Sequence, residues 1–166
     1  SGITGCTGTF DPNALYDAET DRYILGIDGN GSYYCLAVSQ TNDPTGNWHR
    51  YSFFTALGGD FHDYPHAGVG RDAIYMGANQ FFSGGPFHEG RVWAFDKTAA
   101  YAGGAVSAFT FSTGSSGGTP QPLHLHGFQQ GTWPTSGPHR FVTDPYDGST
   151  LALWEWPNAL GGGSPS

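Results

Sequence analysis

Asp11 stands immediately before Pro12, Asp63 and Tyr64 before Pro65, and His66 just after it; His124 and His126 lie two apart in the stretch "HLHG". Carboxylates and imidazoles that converge can hold Ca²⁺ or a transition metal, or grip a polar ligand. The same groups serve architecture alone when each Asp caps its own turn and each His hydrogen-bonds a neighbouring unit, because buried polar groups need partners in any case. The spacing of His124 and His126 puts both rings on one face of a strand, which suits a metal. A copper centre would also need a His-Cys-His segment, and the chain has none.

Hydrolytic chemistry needs two carboxylates flanking a scissile bond, or an activated nucleophile. Asp63, Asp72, Glu89 and Glu155 supply carboxylates, but no GxSxG occurs. A triad of arginines would have to come from Arg22, Arg50, Arg71, Arg91 and Arg140, three of the five facing one pocket. Trp133, Tyr146, Trp154 and Trp156 suit stacking on sugar rings if exposed, and core packing if buried. No cofactor is expected, with Ca²⁺ at the carboxylates the open alternative and no metal assigned.

The elements that must position these residues are strands. Period-two alternation runs through "NALYDA", "RYILGID", "YYCLAVS" and "WHRYSF". It continues through "YPHAGVG", "AIYMGAN", "RVWAFD" and "VSAFTF", and then "PLHLHGF", "HRFVTD" and "TLALWEW". Turn clusters such as "DGNGS", "NDPTGN" and "DPYDGS" separate them. No segment sustains a helical period; "DKTAAYAGGA" holds one helical turn at most, ended by Gly103 and Gly104. The strands group in fours and repeat at roughly 50 residues, a propeller-blade length. The expected fold is all-β, with antiparallel four-stranded blades over about residues 10–54, 62–112 and 120–156, the last lacking its fourth strand. Residues 1–160 then form the propeller segment and 161–166 a flexible Gly/Ser tail. About three blades are too few to close a ring. The segment is therefore expected to be part of a larger propeller or to be completed by another chain, with its open edges covered. In such a fold the first strands of the blades line one mouth of the channel. That is where Asp11, Asp63, Tyr64, His66, His124 and His126 fall.

Composition narrows the partners. The chain has 166 residues, 12% charged and 16% aromatic, with 27 glycines and a formal charge of −8. That is enough apolar surface for an ordered core. Six basic residues make no basic patch, so nucleic acid is excluded as a partner. No apolar run approaches the roughly 18 residues of a membrane span, and no signal-like stretch opens the chain. Cys6 and Cys35 lack metal spacing. In an oxidising compartment they close a loop of about 30 residues, worth roughly 3–4 kcal/mol; otherwise they are two separate thiols. Few lysines and Gly/Thr/Ser-rich loops favour the secreted reading and the bridge. Asn30, in "NGS", is a glycosylation sequon at a turn.

The ordered motifs "DPNALYDAETDRYIL", "YYCLAVSQTNDPTGNWHRYSF", "DYPHAGVGRDAIYMGANQF", "GRVWAFDK" and "PTSGPHRFVTDPYDGSTLALWEW" together resemble a family of secreted, largely uncharacterised β-propeller proteins. The resemblance covers about residues 6 to 156. Within it, "TNDPTGNW" is similar to a loosened Asp-box turn of sialidase-like propellers: Thr41, Asp43 and Trp48 match, while Gly46 is displaced and Asn47 replaces a Thr. Such turns are structural, the Asp holding backbone amides and the Trp plugging between sheets. The resemblance transfers no catalytic residues. It implies a secreted, non-catalytic module for structure or recognition that contacts glycans, a cell surface or copies of itself. The alternative is part of a glycoside-hydrolase or sialidase-like propeller enzyme.

Overall fold

A computed structural model describes residues 2–125 and 137–166 of the chain. His126 and Trp133 lie outside the described residues. The fold is all-β, in three antiparallel sheets that do not close on one another. The first contains β1 (Thr9–Asp17), β2 (Arg22–Gly29), β3 (Tyr33–Ser39) and β4 (Trp48–Phe54), in that order. The second contains β5 (Phe61–Val69), β6 (Ala73–Phe81), β7 (Phe87–Asp96) and β8 (Ala108–Gly114). The third contains β9 (Gly118–Pro122), β10 (His139–Asp144) and β11 (Ala152–Trp156). One short helix, α1 (Lys97–Tyr101), is capped by the Asp96 carboxylate, which accepts from Ala99 N–H at 3.0 Å. It gives way to Gly103 at φ 72°.

The second sheet is covered on both sides, which explains why β6 is buried along nearly its whole length and reads as an apolar run. Its alternate residues enter two seams. Ile74, Met76, Ala78, Trp93 and Phe95 pack against Ile24, Tyr34, Leu36 and Val38 of the first sheet. Ala73, Tyr75, Val92 and Ala94 pack against Phe141, Trp156 and Ala159 on the other side. Phe53 and Phe95, with ring centroids 4.3 Å apart, anchor the first seam.

The third sheet begins earlier than its alternation suggests. The strand expected over "PLHLHGF" is Gly118–Pro122, and His124 lies just beyond it. Among the described residues β9 pairs with β10 alone, so Pro120 and Pro122 sit on an edge where a missing N–H costs no ladder bond. Residues 157–166 fold back. Ala159 is buried in the second seam, the Trp156 indole donates to the Gly163 carbonyl, and Ser166 exchanges two backbone bonds of 3.0 Å with Glu155 on β11. At the other end, Cys6 is bonded to Cys35, with Cα atoms 5.9 Å apart. This pins the segment before β1 against the outer face of the first sheet. No helix among the described residues is long and apolar enough to cross a membrane.

In "TNDPTGNW" the Asp43 carboxylate accepts from Thr45 N–H at 2.9 Å and Thr45 Oγ1 at 2.7 Å. The Trp48 indole N–H donates to the Pro44 carbonyl at 3.2 Å, so the ring sits half-buried over its own turn.

Candidate functional site at the inner ends of the sheets

Each sheet's first strand carries the same local irregularity. Asp11, Tyr64 and Thr119 have φ of 49°, 61° and 48°, and each stands immediately before a proline: Pro12, Pro65 and Pro120. The pairing register slips at each point, between Phe10 and Asn13, between Asp63 and His66, and opposite β9 between Val142 and Asp144. These are β-bulges. A left-handed conformation in a non-glycine residue costs on the order of 1–3 kcal/mol, so three in equivalent places mark a built feature. Its product is that the residue after each proline, Asn13, His66 or Gln121, is re-aimed.

β1 lies against β5 and β5 against β9, so the three bulges come together. They border a cavity of about 420 Å³ lined by Asp11, Asn13, Tyr64, His66 and Gln121, with two of the prolines and Ala67 as floor. Tyr64 is 51% exposed and meets the His66 ring edge-on, with centroids 4.5 Å apart. Asn13 Oδ1 accepts from the buried Tyr34 hydroxyl at 3.0 Å, which fixes the amide and turns its Nδ2 the other way. Nδ2 of Asn13 and Nε2 of His66 are buried and have no hydrogen-bond partner among the described residues. Burial pushes the His66 imidazole below its ordinary pKa, opposed by the Asp11 carboxylate. At neutral pH the ring is therefore uncharged.

Of the residues singled out in the sequence, the cavity brings together Asp11, Tyr64 and His66. Asp63 lies beside it, its carboxylate accepting from the Tyr64 N–H at 2.9 Å and bordering a separate hollow with Phe61 and Phe81. His124 is engaged elsewhere, its Nδ1 accepting from Val69 N–H at 3.1 Å and so tying the third sheet to the second. Asn13 and Gln121 were not singled out. The signal for them was a thrice-repeated proline followed by a polar residue, Pro12-Asn13, Pro65-His66 and Pro120-Gln121. Asn30, the sequon residue, is exposed at the β2–β3 turn at φ 48°.

The cavity's lining is mostly polar. Asp11 is its one lining carboxylate, against the six to eight oxygen ligands that Ca²⁺ takes. Among the described residues no three of His, Cys, Asp and Glu cluster closely enough to hold a metal ion.

A second polar group has the composition of a catalytic relay but not its access. His62 Nε2 meets Asp28 Oδ1 at 2.9 Å, and His62 Nδ1 meets Gln80 Nε2 at 3.1 Å. All three side chains are fully buried at the first seam. Burial raises the Asp28 pKa, with His62 pulling the other way. At the second seam the equivalent bonds are neutral: Asn79 Oδ1 accepts from Thr119 N–H at 2.7 Å. Both sets stitch one sheet to the next. In comparison with known proteins, no family model, no curated protein and no solved structure matches this chain.

Proposed function

We propose that this chain is a segment of a secreted, non-catalytic β-propeller that recognises a neutral glycan at the mouth formed by its first strands. The observation that carries this reading is the exposed Tyr64 ring at a cavity lined by the polar side chains of Asp11, Asn13, His66 and Gln121. A sugar presents an apolar C–H face to an aromatic ring and hydroxyls to amides and imidazoles, the combination that lines this cavity. The Asp11 carboxylate and a net charge of −8 disfavour acidic sugars and polyanions. Three consecutive antiparallel sheets with repeated inner bulges support the propeller reading, and the Cys6–Cys35 bond supports an oxidising compartment.

A panel of neutral oligosaccharides, read both for binding and for released sugar, tests the proposal. Binding without release is expected, with affinity lost at least roughly tenfold in Tyr64→Ala, since a stacked ring is worth about 1.4 kcal/mol or more. Absence of binding across the panel overturns the glycan reading. Released sugar overturns the non-catalytic one and returns the hydrolase alternative, which needs a second carboxylate at the mouth.

A further inference from the structure

The repeated bulge gives the three sheets a common register, and that register shows two faces left open. Asn13 pairs with Gly26, His66 with Gly77 and Gln121 with Val142. Across the next ladder those three residues pair with Leu36, Val92 and Leu153. Leu36, Val92 and Leu153 thus occupy one structural position, on the face each sheet turns toward the sheet that follows. Leu36 is 1% exposed beneath the second sheet and Val92 1% beneath the third, but Leu153 is 60% exposed. One residue before Gly26, Gly77 and Val142 lie Leu25, Met76 and Phe141, on the opposite face of each sheet. Met76 and Phe141 are 0% and 1% exposed against the preceding sheet, whereas Leu25 is 44% exposed.

We infer that the outer face of the third sheet docks on the outer face of the first sheet of a second copy of this chain, head to tail. The interface continues the two seams already present: the Leu153 face takes the part played by Leu36 and Val92, and the Leu25 face the part played by Met76 and Phe141. The receiving face is hollow. Ala14, Leu25, Ile27 and Ala37 border a groove of about 480 Å³, rimmed by Ile3 and by Cys6, which the disulfide holds in place. The donating face projects Leu151 and Leu153. The polar stitch continues as well. Asp28 and Asn79 each reach the first strand of the following sheet, whereas among the described residues their equivalent, Asp144, bonds the Tyr146 N–H of its own loop and no following sheet. The chain carries both halves of the seam, so a second copy presents to each open face the kind of surface that the neighbouring sheet presents within the chain. Because the two faces differ, the contact is heterologous, and two copies of three sheets close as a ring of six, within the range of known propellers.

Native mass spectrometry of the 166-residue chain over a concentration series tests this, with a dimer expected at micromolar concentration. Leu153→Arg and Leu25→Glu change exposed residues and are each expected to weaken the dimer by roughly a hundredfold or more. Mixing the two variants restores a heterodimer, because one contact then pairs Arg with Glu and the other is wild type. As a readout that needs no variant, hydrogen exchange of the wild-type chain slows in both β2 and β11 on concentration. A monomer at every concentration overturns the inference. So do variants that remain dimeric alone, a mixture that does not reassociate, or protection confined to one face.

Discussion

At the seam between the first and second sheets, His62 holds Asp28 on one ring nitrogen and Gln80 on the other, sealed from water. Four residues along the same strand, His66 meets the edge of a tyrosine at an open cavity and leaves Nε2 without a partner. In a regular strand residues 62 and 66 share a face. Here the bulge at Tyr64 inserts one residue, so that His62 pairs with Gln80 and His66 with Gly77, on opposite faces of β6. One left-handed residue thus separates a histidine buried at the seam from one that lines the cavity. The same residue type sits beside a buried carboxylate at the seam and beside an exposed tyrosine at the cavity.

The comparison breaks most severely at Asp28. Asp28→Ala leaves the His62 ring buried without its carboxylate and is expected to cost roughly 3–5 kcal/mol of stability. Asp28→Asn keeps an acceptor and recovers most of that loss. Urea unfolding of the three chains measures both, and a loss below about 1 kcal/mol for the alanine variant shows that the seam does not depend on this pair.

The second seam responds to acid through His139. His139 stacks on Tyr75 with centroids 3.6 Å apart, and burial lowers its pKa to about 4, with Asp72 opposing and Arg140 reinforcing. The unfolded chain binds this proton near the ordinary histidine pKa of about 6.5, so unfolding takes up a proton between the two values. The contribution is fully present above about pH 6.5 and is lost progressively toward about pH 4, amounting to roughly 3 kcal/mol. His139→Phe keeps the stacking and removes the titration. Its stability is expected to be flatter across that window than the wild type's, and parallel curves for the two chains defeat the assignment.

Much of this fold was legible as alternation, because a strand with one face toward a core writes a period of two into its residues. β9 was placed too late because "GTPQP" has no apolar alternation and Thr119 as its one β-former, and it becomes a strand through pairing with β10. That Asp11, Tyr64 and His66 come together at one cavity was legible through their residue types and the adjacent prolines. Asn13 and Gln121 were not, since an amide carries no catalytic signature. Asp28 was hidden inside an apolar run, and the partner that explains it lies in the following sheet. Register and seam partners are set by tertiary packing, which no single segment encodes.

The smallest expected effect on stability is the sharpest on function, and it lies at His66. His66→Ala removes a ring whose Nε2 makes no hydrogen bond, so unfolding should shift by less than about 1 kcal/mol. Asp63→Ala, which deletes only a bond to the neighbouring Tyr64 amide, should be similarly mild. Glycan affinity separates the two: it falls in His66→Ala, recovers in part in His66→Gln, which restores an N–H donor, and is unchanged in Asp63→Ala. The His66 pKa lies below the ordinary value, so the ring is neutral at pH 7, and affinity should hold steady there and change only as the solution is taken below the usual histidine range. Isothermal titration at several pH values reads all of this. Equal losses in the His66 and Asp63 variants would place the binding groups outside the bulge-built cavity.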